Sequence, residues 1–171
     1  DGAVSTTNIG QTTPLDHLTI QAQDIATGDI DLNGPVSTTG AIDLDAVTTL
    51  TIDEAVDSIA GDIDLTGSAV TAAAAGTITT AGDINIDATT TAATIGAIVT
   101  STNSDVEINA ETDVNLAANV IGDNVTAQAN TGDVNVTFEL DNTRGGYDFT
   151  GGDQVVVIAN ITAADGIRLQ G

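Results

Sequence analysis

Residues 60–67 read AGDIDLTG, and the phrase returns as TGDIDLNG at 27–34 and, loosened, as AGDINIDA at 81–88. Within it the alternation is strict. Ile63 and Leu65 fall on one side of an extended chain and Asp62 and Asp64 on the other, the period of two that marks a half-buried strand. Between such runs stand Gly, Asn, Asp, Thr and Ser, which tolerate tight corners. Pro14 and Pro35 lie at strand edges or turns, where a missing N–H does little harm. No stretch carries an apolar stripe at helical period. SAVTAAAAGTITTAG (68–82) has the alanine content of a helix, but its threonines and flanking glycine argue against one.

A motif written several times reports a repeated structural unit. The first apolar residues after each turn, Ile42, Ile63, Ile84 and Val106, are separated by 21, 21 and 22 positions. A second alignment lays LTIQAQDIATGDIDLNG (18–34) on LTIDEAVDSIAGDIDLTG (50–67) at an offset of 32 to 33. Both fit a strand every roughly 8 to 12 residues, hence an all-β fold. The phrase recurs in one polarity, and Asn33-Gly34 is the main hairpin signal, so stacked coils are favoured over antiparallel hairpins. The expectation is a parallel β-helix (β-solenoid) with about 20–22 residues per coil, the 21-residue register being preferred to 33. About eight coils stacked at roughly 4.8 Å would make a rod of about 40 Å.

Composition bounds the chemistry. The 171 residues carry a net charge of −23, with Arg144 and Arg168 the only Lys or Arg residues and no Cys, Met or Trp. Nucleic-acid binding through phosphate neutralisation needs many cations and is excluded; attraction to anionic lipid is disfavoured likewise. No apolar run approaches the roughly 20 residues of a membrane span, and the start has no basic region followed by an apolar one. Without Cys there is neither a disulfide framework nor a thiolate metal site. The interior must be built from Val, Ile, Leu and Ala, which suits a narrow, regular core.

The run 18–52, LTIQAQDIATGDIDLNGPVSTTGAIDLDAVTTLTI, resembles the β-strand repeats of filamentous-haemagglutinin-type exoproteins and related giant bacterial surface adhesins. The resemblance extends over most of residues 9–140. It implies a right-handed parallel β-helix exported to the cell surface and used as an adhesin or filament, although the family's amino-terminal secretion domain is not evident here.

On this reading residues 1–140 are solenoid coils and 141–153 a loop leaving the coil. Residues 154–171 are the final coil strands, continuing into another repeat or subunit. The loop holds Arg144, Tyr147 and Phe149, three of the few bulky or basic residues, and is a candidate contact site for a glycan or a neighbouring subunit. A 21-residue register stacks Asp62, Asp83 and Asp105 on one outer ladder and Asp43, Asp64, Asn85 and Glu107 on the next. Unit charges about 4.8 Å apart repel by about 0.9 kcal/mol even in water. Asp62, Asp64, Asp83, Asp105 and Glu107 are therefore candidates for bridging by Ca²⁺, a hard cation that prefers oxygen ligands; the alternative is a solvated face screened by salt. No EF-hand or Gly-Gly-x-Gly-x-Asp calcium motif occurs.

Enzymatic activity is not expected, because the carboxylates form a repeated array in place of a singular cluster. Asp16-His17 has no serine in a nucleophile context. Asn124, Asn135 and Asn160 begin Asn-x-Thr sequons, and the threonines at 79–80 and 89–91 are spaced too irregularly for an ice-binding lattice. The expected function is a non-enzymatic, extracellular structural rod at a cell surface or in a matrix, requiring no cofactor. Neither end resembles a polar cap, so end-to-end self-association or continuation in a longer chain is expected. The alternative is an adhesin-type module recognising a glycan or cell surface.

Overall fold

The computed structural model describes residues 3–6, 8–10 and 12–171. Among them are 23 strands and no helix. After β1 (Val4–Thr6) the strands come in threes: β2 (Leu18–Ala22), β3 (Ile30–Leu32) and β4 (Val36–Thr38) make the first turn. The second holds β5 (Ile42–Ala46), β6 (Thr49–Ile52) and β7 (Val56–Ser58), and the third β8 (Ile63–Gly67), β9 (Ala69–Ala72) and β10 (Thr77–Thr80). The fourth is β11 (Ile84–Ala88), β12 (Ala93–Ile95) and β13 (Ile98–Ser101); the fifth is β14 (Val106–Ala110), β15 (Val114–Leu116) and β16 (Val120–Ile121). The sixth comprises β17 (Asn124–Ala129), β18 (Val134–Val136) and β19 (Leu140–Asn142). The seventh is β20 (Gly146–Thr150), β21 (Val155–Val157) and β22 (Ile161–Ala163), after which β23 (Ile167–Gln170) begins another.

Each turn contributes one strand to each of three parallel sheets, so the chain is a three-sided β-solenoid of about seven turns. Face 1 is β2-β5-β8-β11-β14-β17-β20-β23, and face 2 is β1-β3-β6-β9-β12-β15-β18-β21. Face 3 runs β4-β7-β10-β13-β16 and stops, with β19 and β22 forming a separate pair. The expected register holds residue by residue: Ile42 partners Ile63, Ile63 partners Ile84, and Ile84 partners Val106. Along face 1 the step is longest from Leu18 to Ile42 and shortest from Val106 to Val125. The long first step arises from an extra turn after β2, where Asp24 caps Ala26 N–H at 2.9 Å. With that excess and the residues ahead of β2, seven turns span about 34 Å at roughly 4.8 Å per turn, against the eight coils expected.

The 32-to-33-residue alignment does not describe a coil. TGDIDLNG places Ile30–Leu32 on face 2, whereas AGDIDLTG places Ile63–Gly67 on face 1. The same phrase serves two faces because both demand the same alternation.

Inside, like stacks on like. Ile30, Leu50 and Val70 continue through Ala93, Val114 and Val134 on face 2, all fully buried. Ala88, Ala110 and Ala129 line the corner between faces 1 and 2, where the chain bends too tightly for larger groups. At the corner between faces 3 and 1 the interior is polar: Thr38, Ser58, Thr80 and Ser101 are at most 5% exposed. Their hydroxyls satisfy backbone groups that the bend leaves unpaired. Ser58, Thr80 and Ser101 donate to the carbonyls of Gly40, Gly61 and Gly82 in the preceding turn at 2.8, 2.5 and 2.7 Å.

The inserted loop expected at 141–153 is not a loop. Residues 140–142 and 146–150 are β19 and β20 within the stack, with Tyr147 over Val125 and Phe149 over Ala127. Gly-Tyr-Asp-Phe-Thr keeps the alternation of the coil. The small Ala127 beneath Phe149 makes room for the larger ring.

Candidate functional site

The outward carboxylates fall into two classes with different work. The first stands at the corner leading into face 1. Asp62 accepts the backbone N–H of Asp83 at 2.9 Å, and Asp83 accepts that of Asp105 at 3.1 Å. Asp105 in turn accepts the backbone N–H and the side-chain amide of Asn124, both at 2.9 Å. Each side chain thus holds an amide of the following turn, a longitudinal version of a helix N-cap. The Ser104 hydroxyl also donates to Asp83, and these bonds hold its carboxyl below the ordinary carboxylate value. The corner between faces 1 and 2 repeats the device. Asp29 accepts from the Thr48 hydroxyl and from Thr49 N–H at 3.0 Å, which lowers its carboxyl, and Asp113 accepts from Asp133 N–H at 2.9 Å.

The second class lies on the flat of face 1. One outer row runs Asp43, Asp64, Asn85, Glu107, Thr126, Asp148 and Arg168. Partial burial, then Asp64 and Asp45, raise the Asp43 carboxyl; burial, then Glu107, raise that of Asp87. Neutral residues break the row. Asn85 donates its amide to Asp64 at 2.7 Å, and Arg168 donates to Asp148 at 2.8 Å.

The expected ladders are therefore present as rows, Asp62, Asp83 and Asp105 at the corner and Asp64 and Glu107 on the face. The corner carboxylates already have a partner in the backbone. Among the described residues no three His, Asp or Glu side chains gather where a metal ion could be held.

The expected contact loop is corrected more sharply. Tyr147 and Phe149 are 2% and 0% exposed, with ring centroids 5.2 Å apart in the core, so neither can anchor a glycan or subunit. The Tyr147 hydroxyl donates to Val120 O at 2.8 Å, and burial pushes it well above its ordinary value. Arg144 is at the surface, paired with Asp123 of the preceding turn at 2.5 Å.

Of the sequons, Asn124 is bound to Asp105 and Asn135 donates to Asn115 at 3.1 Å, while Asn160 is exposed. The runs at 79–80 and 89–91 do not line up with each other; Thr51, Thr71 and Thr94 do, on face 2. Sequence reading missed the buried hydroxyl row. Its signal was a Thr or Ser two or three residues ahead of a turn glycine, as in Thr38-Thr39-Gly40, Ser58-Ile59-Ala60-Gly61 and Thr80-Ala81-Gly82.

No protein-family model, curated protein or solved structure matches the chain.

Proposed function

We propose that this chain is a segment of a non-enzymatic structural rod that works outside the cell, at a surface or in a matrix. One observation carries the reading: through the middle turns the corner carboxylates, the buried hydroxyls and the backbone ladders join each turn to its neighbour. Asp62, Asp83 and Asp105 repeat one bond at three successive levels. A catalytic pair needs environments that drive two acids apart, whereas here Asp83 and Asp29, lowered by corner hydrogen bonds, and Asp43 and Asp87, raised on the flat of face 1, lie in the repeated rows. The likeness of residues 18–52 to filamentous-haemagglutinin-type repeats supports the extracellular setting. Glycan recognition through 141–153 loses its aromatic anchors to the core.

The inward residues of the last strand, Ile167 and Leu169, are 44% and 49% exposed. A further turn, from the same chain or another copy, would cover them and pair with the free edge of β23. Electron microscopy of the purified chain at low and high salt, with and without calcium, tests the reading. Rods of constant width, alone or joined end to end, are expected. Filaments that need calcium and dissolve in chelator would assign the carboxylate rows to cation bridging. Compact particles lacking an axial repeat would overturn the rod.

A further inference from the structure

Face 3 is interrupted where the other two faces are not. Between the fifth and sixth turns, β14 pairs with β17 and β15 with β18, but β16 and β19 are not joined. One level on, β17 pairs with β20, β18 with β21 and β19 with β22. The break is thus confined to one face at one level. It occurs at the shortest step along face 1, from Val106 to Val125, and at the short strand Val120–Ile121.

Side chains occupy the place of the missing ladder. The Asn119 carboxamide accepts the Asp141 N–H at 2.9 Å and donates to the Asp141 carbonyl at 3.1 Å, taking both bonds a neighbouring strand would make. Val120 O, which would face β19, accepts the Tyr147 hydroxyl at 2.8 Å. The buried hydroxyl row also lapses. Gly122 has no side chain, and the Asn142 side chain bonds only Arg144, Gly145 and Gly146, which follow it directly in the chain, whereas Ser58, Thr80 and Ser101 reach back to the turn before. Val120 and Leu140 stay packed in the core on the two sides of the gap; the other polar contact across it is the Arg144–Asp123 pair, whose side chains are 36% and 47% exposed, and such surface pairs contribute little.

The geometry points to a built-in seam: face 3 opens locally between β16 and β19 while faces 1 and 2 remain paired, giving the rod a one-sided hinge at this level. A backbone ladder opens only by breaking neighbouring bonds together. Three side-chain tethers release by rotation about their own bonds, so this level belongs to the low end of local opening free energies. The Tyr147 and Phe149 rung, the only aromatic pair in the described core, sits beside the gap. That the opening bends a rod rests on the structural reading above; the opening itself does not.

Residue-resolved amide hydrogen exchange on the intact chain tests the seam. The Asp141 amide is expected to exchange at least about tenfold faster than Thr79 and Thr100, the corresponding positions upstream on face 3. Asn130 and Val114, whose amides donate to Ala110 O and Asp133 O across the same level on faces 1 and 2, should stay as slow as the upstream strands. Tyr147→Phe, which keeps the packed ring and removes the tether to Val120, should accelerate Asp141 further and leave Thr79 unchanged. Protection of Asp141 equal to that of Thr79 and Thr100 would overturn the seam. So would fast exchange of Asp141 together with Asn130 and Val114, which is opening of the whole level and not of one face. Neither outcome touches the rod reading, which microscopy tests separately.

Discussion

Replacing Asp43 by Asn should stabilise the protein, and the size of the gain follows from the row on face 1. Asp43 is the direct partner of Asp64 on the next turn and shares its strand with Asp45. Two carboxylates about 4.8 Å apart repel by about 0.9 kcal/mol at the dielectric of water. Asn85, on the other side of Asp64, shows what a neutral partner does: it donates to that carboxylate at 2.7 Å. Asp43→Asn should therefore gain about 0.5–1 kcal/mol at pH 7 and low salt, raising the thermal midpoint by about 1–4 °C in a chain of this size. The gain should shrink in 1 M salt, where the screening length falls to about 3 Å. The pH dependence supplies a second check. A carboxyl raised in the folded state, such as Asp43 or Asp87, binds its proton more tightly there. Its ionisation costs stability, which is recovered as pH falls from the raised value toward the ordinary 3.8. A lowered carboxyl, such as Asp83 or Asp29, contributes stability that is present above 3.8 and lost as pH falls through its lowered value. Stability of the parent chain should thus rise on mild acidification, as the raised carboxyls protonate, and fall on further acidification, as the lowered ones do, and Asp43→Asn should flatten the rising part. Circular dichroism melts across pH and salt would refute the reasoning if the variant melted no higher at low salt, or if its gain were undiminished at high salt.

Other substitutions separate the remaining contributions. Asp83→Ala removes the acceptor for Asp105 N–H and Ser104 and should cost about 1 kcal/mol in chemical denaturation; a neutral result would mean water replaces the corner bond without loss. Ile86→Ala, at 1% exposure between Leu65 and Ile108, should cost about 2–5 kcal/mol by leaving a cavity, and a loss below about 1 kcal/mol would show that the stack closes over the gap. Gly145→Ala would drive its methyl into the backbone carbonyl of Asp123. The sixth turn should then lose its protease resistance, and unchanged proteolysis would show that the approach can relax.

Much of the fold was legible because a solenoid writes its geometry locally. The alternation in Ile63-Asp64-Leu65 and the even steps from Ile42 to Val106 are backbone consequences, readable without knowing what each residue touches. The Gly-Tyr-Asp-Phe-Thr run obeys the same alternation and sits one turn beyond β17, with Tyr147 in register with Val125. Its residue types depart from the aliphatic norm, and that departure alone makes it resemble a loop. Register outranks composition here, since only a small partner such as Ala127 decides whether a ring fits, and that partner is a full turn away.

By itself, then, the sequence determined the all-β parallel coil and its repeat length, the aliphatic interior and the acidic exterior, because each depends on spacing along one strand and on side-chain solvation. Only the tertiary structure decided which face each near-identical phrase occupies and that corner carboxylates hold the amides of the next turn. It likewise placed Tyr147 and Phe149 inside and stopped the ladder of face 3 at Val120–Ile121. These depend on contacts between residues about a turn apart, where a small change in loop length alters the partner without altering the pattern on either strand.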